Sequence, residues 1–323
     1  MSDDQHTLFA EPDPMEPERA RWKPLAERVP PGVRMGTSTW SFPGWKGFVW
    51  GKKRSEAELA REGLREYARH PLLTTVGLDR GYYAPIPAAD LERYASQVPE
   101  GFPFCTKAPE SIVTPVFLPH GRSGGTPGAP NPDFLSAEKF MREVGEVFAR
   151  NFAAHTGPFL FEFPPLPPAQ KLSSREFCER LDDFFAALPA SVPKAVELRD
   201  RELFTPRYRK VLAKHGASHV YSWWSWMPGI RAQHDAIPPG DAPFTVARLS
   251  LKPGTRYEDR LEQFLPFDKL VEPDEGLRAD VVALTRDALS RNARVFILVN
   301  NKAEGSSPLT IFALAERLAR AAT

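Results

Sequence analysis

The chain is poor in cysteine and has no long apolar run. Its two cysteines among 323 residues, Cys105 and Cys178, lack metal-ligand spacing, and we expect both to be reduced, buried thiols. No apolar stretch approaches the roughly 20 residues that span a bilayer. Residues 1–30 also lack the basic start and apolar core of a secretory signal. We therefore expect a cytoplasmic protein with no membrane partner.

An excess of charge of either sign is also missing. Lys and Arg number 42 against 41 Asp and Glu, so a nucleic-acid partner would need a local patch and is not favoured. No Gly-x-Gly-x-x-Gly follows the first predicted strand, which argues against a dinucleotide fold. None of the seven histidines belongs to a His-x-His pair at a strand end, and we assign no metal ligand and no cofactor.

Short β-branched or aromatic runs alternate with amphipathic stretches from Val33 onward, a pattern that predicts a parallel sheet. The predicted strands are about Val33–Trp40, Leu72–Asp79, Phe102–Lys107, Pro158–Phe163, Lys194–Arg199, His219–Trp224, Phe244–Leu251 and Arg294–Asn300. Eight such units fit a closed (β/α)8 TIM-type barrel of the α/β class better than an open doubly wound sheet.

The barrel domain is predicted to cover residues 31–323, behind a poorly ordered leader over residues 1–30 that is rich in proline and acids. Most strands are followed by a helix signal, such as the capping box that starts at Ser55. No helix is obvious after the sixth strand. The seventh strand is followed by a long loop and a helix near Leu277–Arg291.

Charged side chains interrupt three predicted strands that are otherwise hydrophobic. Because side chains alternate across a strand, Glu162, Glu197, Arg199 and Arg248 are predicted to face the barrel lumen while their apolar neighbours face the helices. Lys107 is expected on the same side as Cys105. An ionised group is costly to bury unless it is paired or functional, so this pattern indicates an internal ion-pair layer or an active site.

These residues lie toward the C-terminal ends of their strands, where barrel enzymes hold catalytic groups. Glu197, beside Arg199, suits a base or nucleophile, whereas Glu162 is flanked by phenylalanines and is expected to stay protonated as an acid. This division supports glycoside hydrolysis or isomerisation. A second hypothesis makes Lys107 a Schiff-base nucleophile.

The charge balance of this set depends on Asp79, at the end of the second strand. The cations outnumber the two lumen glutamates unless Asp79 also turns inward, so a small anionic ligand is the expected partner. Aromatic residues gather at the same strand ends and suit stacking on sugar rings or bases. Those assigned to substrate binding are Trp40, Trp45, Tyr83, Trp223 and Trp224.

The stretch from Asn300 to Pro308 ends the eighth strand and opens the last helix. Ser307 is predicted as its N-cap, so that free amides would point into the loop and bind phosphate. Loops after strands seven and eight often do this in barrels, and Lys252 would add a cation. The residues assigned here to substrate binding are Asn300, Asn301, Ser306 and Ser307.

Several motifs occur together in order along the chain. They are Gly36–Gly47, Thr75–Tyr83, Phe104–Pro109, Phe161–Pro165, Ala195–Arg199 and Val299–Asn301. Over about residues 33–320 the set resembles the YecE-like family, domain of unknown function 72. That resemblance implies a TIM-type barrel and no established activity. The family usually has glutamate where Gly77 stands, and glutamine is common where Glu162 stands. The resemblance thus implies that a carboxylate has moved across the lumen relative to the family pattern, or that the chemistry differs from that of the family.

The leading hypothesis is an enzyme that uses the lumen carboxylates and cations to hydrolyse or isomerise an anionic sugar-like or nucleotide-like substrate. One alternative is a non-catalytic binding protein for an anionic metabolite or a nucleic-acid end. Another is a metal-dependent hydrolase or nuclease, since barrels with lumen carboxylates often bind metals. In that case His120 and His234, predicted in loops, would fold over the mouth of the barrel.

Overall fold

A computed structural model describes residues 13–119, 121 and 124–321. The predicted (β/α)8 barrel is confirmed, because eight parallel strands close in chain order and the first pairs with the last. Each strand overlaps its prediction. The strands are β1 (Val33–Thr37), β2 (Thr75–Leu78), β3 (Phe104–Lys107), β4 (Thr156–Phe163), β5 (Lys194–Leu198), β6 (Ser218–Trp223), β7 (Phe244–Leu249) and β8 (Arg294–Val299).

The helices lie outside this barrel. Within the described ranges they are α1 (Glu16–Ala26), α2 (Glu56–Glu62), α3 (Leu64–Tyr67), α4 (Ala88–Ala95), α5 (Glu110–Val113), α6 (Ala137–Phe140), α7 (Glu146–Asn151), α8 (Ser174–Ala187), α9 (Pro206–Lys214), α10 (Ile230–Ala236), α11 (Tyr257–Phe264), α12 (Glu275–Ser290) and α13 (Ser307–Ala321). A π-helical turn joins α6 to α7. The helices α10 and α11 were not predicted because both are short and neither has a side-chain N-cap. No described helix is long and apolar enough to cross a bilayer.

The prediction of a poorly ordered leader is wrong for residues 13–30. Residues 1–12 lie outside the residues that the structure describes. Helix α1 occupies most of this segment and packs on α13, with the Trp22 ring 4.6 Å from that of Phe312. Pro17 sits in the first turn, where a missing amide N–H costs nothing. Pro24 lies inside the same helix, so a high proline count did not prevent α1 from forming.

The lower part of the lumen is filled by apolar side chains. They are Cys105, Leu160, Ala195, Val220, Phe244, Val246, Phe296 and Leu298. Both cysteines are free and buried, as predicted. Burial raises the pKa of the Cys105 thiol to about 12, so this thiol is inert packing at neutral pH. Any polar chemistry in the lumen must therefore lie above this layer, toward the C-terminal ends of the strands.

The strands β1 and β2 approach each other closely at Gly36. A Cβ atom at this position would lie 1.9 Å from the carbonyl oxygen of Thr75, which leaves no room for a side chain. The hydroxyl of Tyr67, on α3, ties the same strands together. It accepts from the Thr37 amide at 2.8 Å and donates to the Thr75 carbonyl at 3.0 Å. The barrel wall between β1 and β2 therefore requires a residue without a side chain at position 36.

We predict that Gly36→Ala lowers the free energy of unfolding by about 1–3 kcal/mol, because the added methyl group forces β1 and β2 apart. Gly240→Ala is the matched control, since nothing lies within 4 Å of a Cβ atom there. Urea unfolding followed by circular dichroism measures both variants. Equal stability of the two variants would contradict the close packing at Gly36.

Candidate functional site

Six charged side chains meet at the C-terminal mouth of the lumen. Glu162 and Glu197 are register partners on β4 and β5, and Arg248 continues the inward face of β7 above Phe244 and Val246. This is the arrangement that side-chain alternation predicts. The complete set, which we call the lumen network, is Asp79, Lys107, Glu162, Glu197, Arg199 and Arg248.

Glu162 is surrounded by three cations. Its Oε2 lies 2.8 Å from Lys107 Nζ, 2.8 Å from Arg199 Nη2 and 2.5 Å from Arg248 Nη1. Burial alone would raise the pKa of this carboxyl, but the three cations outweigh it and hold the pKa well below its usual value. The expectation of a protonated Glu162 is therefore wrong. The flanking Phe161 packs outward against α6 and α8 and does not shield the carboxylate.

Glu197 is fully buried and shares its cations with Glu162. Its Oε1 accepts from Arg199 Nε at 3.1 Å and Nη2 at 3.0 Å, and its Oε2 accepts from Arg248 Nη1 at 2.7 Å. Both arginines thus bridge the two glutamates. Burial disfavours the charged form of Arg248, but the carboxylates of Asp79, Glu197 and Glu162 outweigh burial and raise its pKa. The guanidinium remains charged and fixed.

Asp79 also turns inward. Its Oδ2 accepts from Arg248 Nη2 at 2.6 Å, and Lys107 Nζ lies 3.9 Å away. Three acids therefore balance three bases in the lumen network, and the excess of cations expected in the absence of Asp79 does not arise. A net positive charge for an anionic ligand would have to come from a further residue at the mouth.

Several buried polar atoms around the network have no hydrogen-bond partner in the described part of the chain. They are Ser38 Oγ, Asp79 Oδ1, Ser222 Oγ, Trp224 Nε1, Arg248 Nε and Ser250 Oγ. An unsatisfied buried polar group costs about 1–3 kcal/mol, so these atoms are available to a ligand or to water. Sequence analysis missed the serines, although Ser222 has Arg248 as its register partner. The alternation of side chains along β6 could have identified Ser222 as an inward-facing residue.

A cleft of about 490 Å³ opens at Asp79 of the network, and Ser38 and Arg80 also line it. This volume suits a small metabolite. Gly77 also lines it, and a Cβ atom there would lie 3.0 Å from the carbonyl oxygen and 3.1 Å from the Cα of Ser38. A side chain at position 77 would therefore require the backbone of Ser38 to shift by a few tenths of an ångström.

Three of the five assigned aromatic residues lie in the core. Trp40 is buried and donates its Nε1 proton to the Leu59 carbonyl at 3.0 Å. Trp45 is fully buried and donates to Asn301 Oδ1 at 3.1 Å. Trp223 belongs to the apolar layer outside the strands. Trp45 and Trp223 therefore offer a ligand no open face for stacking. Trp40 also lines the cleft beside Ser38 and Asp79, so its assignment to substrate binding stays a prediction.

Trp224 and Tyr83 remain at the mouth. The guanidinium carbon of Arg199 lies 3.6 Å from the centre of the Trp224 ring, a cation–π contact that orients both groups. Tyr83 is about half exposed, and its ring meets Tyr82 edge to face at 5.6 Å. A ligand in the mouth can therefore reach an aromatic side chain after β2 and another after β6.

Most of the groups predicted to bind phosphate after β8 are engaged within the protein. Ser307 is the first residue of α13, and both its amide and its hydroxyl donate to Asn301 Oδ1, at 2.9 and 2.6 Å. Asn300 Oδ1 accepts from the amide of Lys302. Lys252 is held by Glu272 at 2.6 Å and by Asp274 at 3.4 Å. Amide, asparagine and cation are thus used within the protein. Ser306 Oγ is buried without a partner among the described residues.

The residues that the structure describes contain no group of three or more His, Cys, Asp or Glu side chains placed to hold a metal ion. His234 lies on α10 and contacts Asp287 of α12 at 3.0 Å, so it packs outside the barrel and not over the mouth. His120 lies outside the described residues.

Lys302 is a mouth residue that sequence analysis did not single out. Its Nζ lies 4.3 Å from the centre of the Tyr257 ring, on the helix after β7. Burial lowers the pKa of this amine to about 8, although the charge of Asp79 acts in the opposite direction. Lys302 therefore adds a positive charge at the mouth beyond the three acids and three bases of the lumen network.

Comparison with known proteins identifies one family. The family model described as "Protein of unknown function DUF72" matches residues 34–323. No curated protein matches the chain. A DUF72 family protein from Thermotoga maritima is 20% identical with a TM-score of 0.58, over 88% of this chain and 98% of its own. One from Enterococcus faecalis is 18% identical with a TM-score of 0.58, over 89% and 95%. These likenesses support the barrel fold and no particular activity.

We predict that Glu162→Gln destabilises the protein by about 3–5 kcal/mol near neutral pH, because it leaves buried cations without their carboxylate. The lowered pKa of Glu162 contributes stability above the ordinary carboxyl value of 4.5, and this contribution is lost as the pH falls below it. The stability difference between wild type and variant should therefore shrink on acidification, as measured by urea unfolding at several pH values.

The matched control is Glu179→Gln, which removes a carboxylate from the exposed pair with Arg175. Its stability should stay close to that of the wild type at every pH. A Glu162→Gln effect that is small, or that does not change with pH, would contradict an ionised Glu162.

Proposed function

Because the chain belongs to the DUF72 family, whose description assigns no function, we propose its function from the barrel mouth. The protein is an enzyme that binds a small anionic sugar-like or nucleotide-like substrate there and hydrolyses or isomerises it. The observation that carries this proposal is the set of unpartnered buried polar atoms around the lumen network. An ion-pair layer with a purely structural role would not need unpartnered polar atoms around it.

The unpartnered hydroxyls match a polyhydroxylated ligand. The side chains of Ser38, Ser222 and Ser250 can each donate one hydrogen bond and accept others, as sugar or ribose hydroxyls require. They stand on β1, β6 and β7 or directly after them, so they approach the mouth from different sides. A ligand with several hydroxyl groups would satisfy more of them than a single ion.

The cations suit an anionic group on that ligand. Arg199 and Arg248 are held by carboxylates and cannot reorient freely, which favours preorganised recognition of developing negative charge. Arg248 still has an unpartnered Nε proton. Lys302 supplies the positive charge that has no paired carboxylate, and it faces the same mouth as Asp79. We therefore place the anionic group of the substrate between these side chains.

Asp79 is the best candidate for proton transfer in this arrangement. One of its oxygens is bound to Arg248 and the other has no partner among the described residues. Glu162 and Glu197 are more deeply buried and serve to position the arginines. Lys107 is held 2.8 Å from Glu162 and acts as a fixed cation, which is not the setting of a nucleophilic lysine.

A non-catalytic binding protein is the second candidate. The observation that favours it is that each carboxylate of the lumen network already contacts a cation. Such a site can hold an anionic metabolite without transferring a proton. Ligand that stays bound without turnover would distinguish this candidate from an enzyme.

We predict that hexose phosphates, pentose phosphates or nucleoside monophosphates bind the wild-type protein and raise its melting temperature. The double variant Ser222→Ala, Ser250→Ala should weaken binding of the responding compound about tenfold or more, because each lost hydrogen bond contributes about 0.5–1.5 kcal/mol. Isothermal titration measures this change. Asp79→Asn should lower kcat by about 10²–10⁴ with substrate still bound.

Asp235→Asn is the control, because Asp235 forms an exposed pair with Arg231 on α10, away from the mouth. It should bind and turn over substrate as the wild type does. No binding by any compound of the panel would refute the proposed substrate class. Unchanged turnover in Asp79→Asn would refute the role of that carboxylate.

A further inference from the structure

Three arginines line the cleft that contains Ser38 and Asp79. They are Arg61, Arg80 and Arg93. Arg80 directly follows Asp79 in the turn after β2, whereas Arg61 lies on α2 and Arg93 on α4. None of the three belongs to the lumen network, whose acids and bases balance without them. These arginines therefore call for an explanation of their own.

Arg80 and Arg93 are held against the same aromatic ring. Their guanidinium carbons lie 5.6 Å and 5.3 Å from the centre of the Tyr94 ring, which is buried on α4. The carboxylate of Asp90 contacts both groups, Arg80 through one oxygen and Arg93 through the other, at 2.8 Å from Arg93 Nη2. Cation–π contacts and a shared carboxylate restrict the orientation of both guanidinium groups. The two arginines are therefore preorganised, which lowers the cost of binding an anion.

These two guanidinium groups carry more positive charge than Asp90 balances. One carboxylate faces two cations, and Glu56 of the cleft lining forms no ion pair with either arginine in the described chain. Asp90 occupies Nη2 of each arginine, and no acceptor among the described residues contacts Nε or Nη1 of Arg80. The side chains of Arg80 and Arg93 are 44% and 41% exposed, so an anion can reach them from solvent. Exposed ion pairs add little to stability, and the arrangement suits binding better than it suits holding the fold.

The positive surface continues past this cleft. A second cleft, of about 510 Å³, adjoins the first and shares Arg61 and Arg93 with it. The charged residues of its lining are Arg54, Arg61, Arg65, Arg69, Arg93, Glu62 and Glu66. Asp13, which contacts Arg69, and Asp90 raise the number of acids to four against five arginines. Basic surfaces of this kind attract anions toward the cleft they surround.

We infer that the substrate carries two phosphate groups, and that Arg80 and Arg93 bind the second of them in this cleft. Guanidinium groups match phosphate because they offer several N–H donors in a fixed plane. The inference rests on the proposed function, which places the first anionic group beside the cations of the lumen and the mouth. It narrows the substrate class to sugar bisphosphates and nucleoside bisphosphates.

Asp79 connects the two phosphate positions. It lines the cleft, and its Oδ2 accepts from Arg248 Nη2 of the lumen network at 2.6 Å. The sugar or nucleoside between the two phosphates would then lie beside Ser38 and Asp79. Their Oγ and Oδ1 atoms have no partner among the described residues, and they suit the hydroxyl groups of such a ligand. Two charged ends would thus hold the reacting part of the substrate next to the carboxylate of Asp79.

The test compares compounds that differ only by a second phosphate. The pairs are glucose 6-phosphate with glucose 1,6-bisphosphate, ribose 5-phosphate with ribose 1,5-bisphosphate, and adenosine 5′-monophosphate with adenosine 3′,5′-bisphosphate. Isothermal titration measures the binding of each compound to the full-length protein. In at least one pair we expect both compounds to bind and the bisphosphate to bind about tenfold more tightly or better, because arginine and phosphate form charge-assisted hydrogen bonds.

Three variants assign the preference to the two arginines. The double variant Arg80→Gln, Arg93→Gln should bind the monophosphate as the wild type does and lose the preference for the bisphosphate. The double variant Arg80→Lys, Arg93→Lys keeps both charges without the guanidinium geometry, so it should keep a smaller preference. Arg175→Gln removes an exposed arginine of α8 that does not line the cleft, and it should bind as the wild type does. Melting temperatures without ligand show whether each variant is folded.

If the wild type binds the monophosphates as tightly as the bisphosphates, the inference is overturned while the proposed site stands. The same holds if the glutamine variant keeps the full preference, because the second phosphate would then lie elsewhere. If the wild type binds no member of any pair, the anionic site of the proposed function fails, and the inference fails with it.

Discussion

The contact of Arg248 with three carboxylates is the interaction on which the mouth of this barrel depends. Its guanidinium reaches Asp79, Glu162 and Glu197, which come from three other strands or strand ends. Removing such a charge from water is costly, and a well-packed apolar core is often as stable as a buried ion pair. Stability alone therefore gives little reason to place six charges in a lumen. On the function proposed above, their mutual geometry serves as a scaffold for a ligand.

The scaffold also limits which groups can react. Cations contact both glutamates and lower the pKa of Glu162. These deeper carboxylates therefore hold the two arginines in place. In the proposed enzyme, proton transfer is left to the upper edge of the network, where one oxygen of Asp79 has no partner among the described residues. The fixed lower layer would orient this edge.

Alternation of side chains was enough to predict the fold and the inward position of the charges. A period of two residues is a local property, so Glu197 and Arg199 had to share a face whatever surrounded them. The ionisation state of a side chain, in contrast, depends on residues that are distant in sequence. The flanking phenylalanines suggested a protonated Glu162, but the cations that decide its charge come from β3, the end of β5 and β7. Likewise the sequence suggested that Trp45 lies at the mouth of the barrel. Only the folded chain shows that its indole nitrogen donates to Asn301.

Gly77 connects these observations to the family pattern. Where relatives are expected to have glutamate, this chain has no side chain, and the backbone of Ser38 lies close to the position that a Cβ atom would take. A carboxylate at position 77 would add a fourth acid to a network that is balanced at three against three. Glu162, in contrast, sits where three cations already converge. With an acid on β4 and none at position 77, three acids balance three bases in the lumen. The cleft lined by Ser38, Gly77 and Asp79 lies on the β1–β2 side of the mouth, and in the proposed enzyme it is the route by which the substrate would enter.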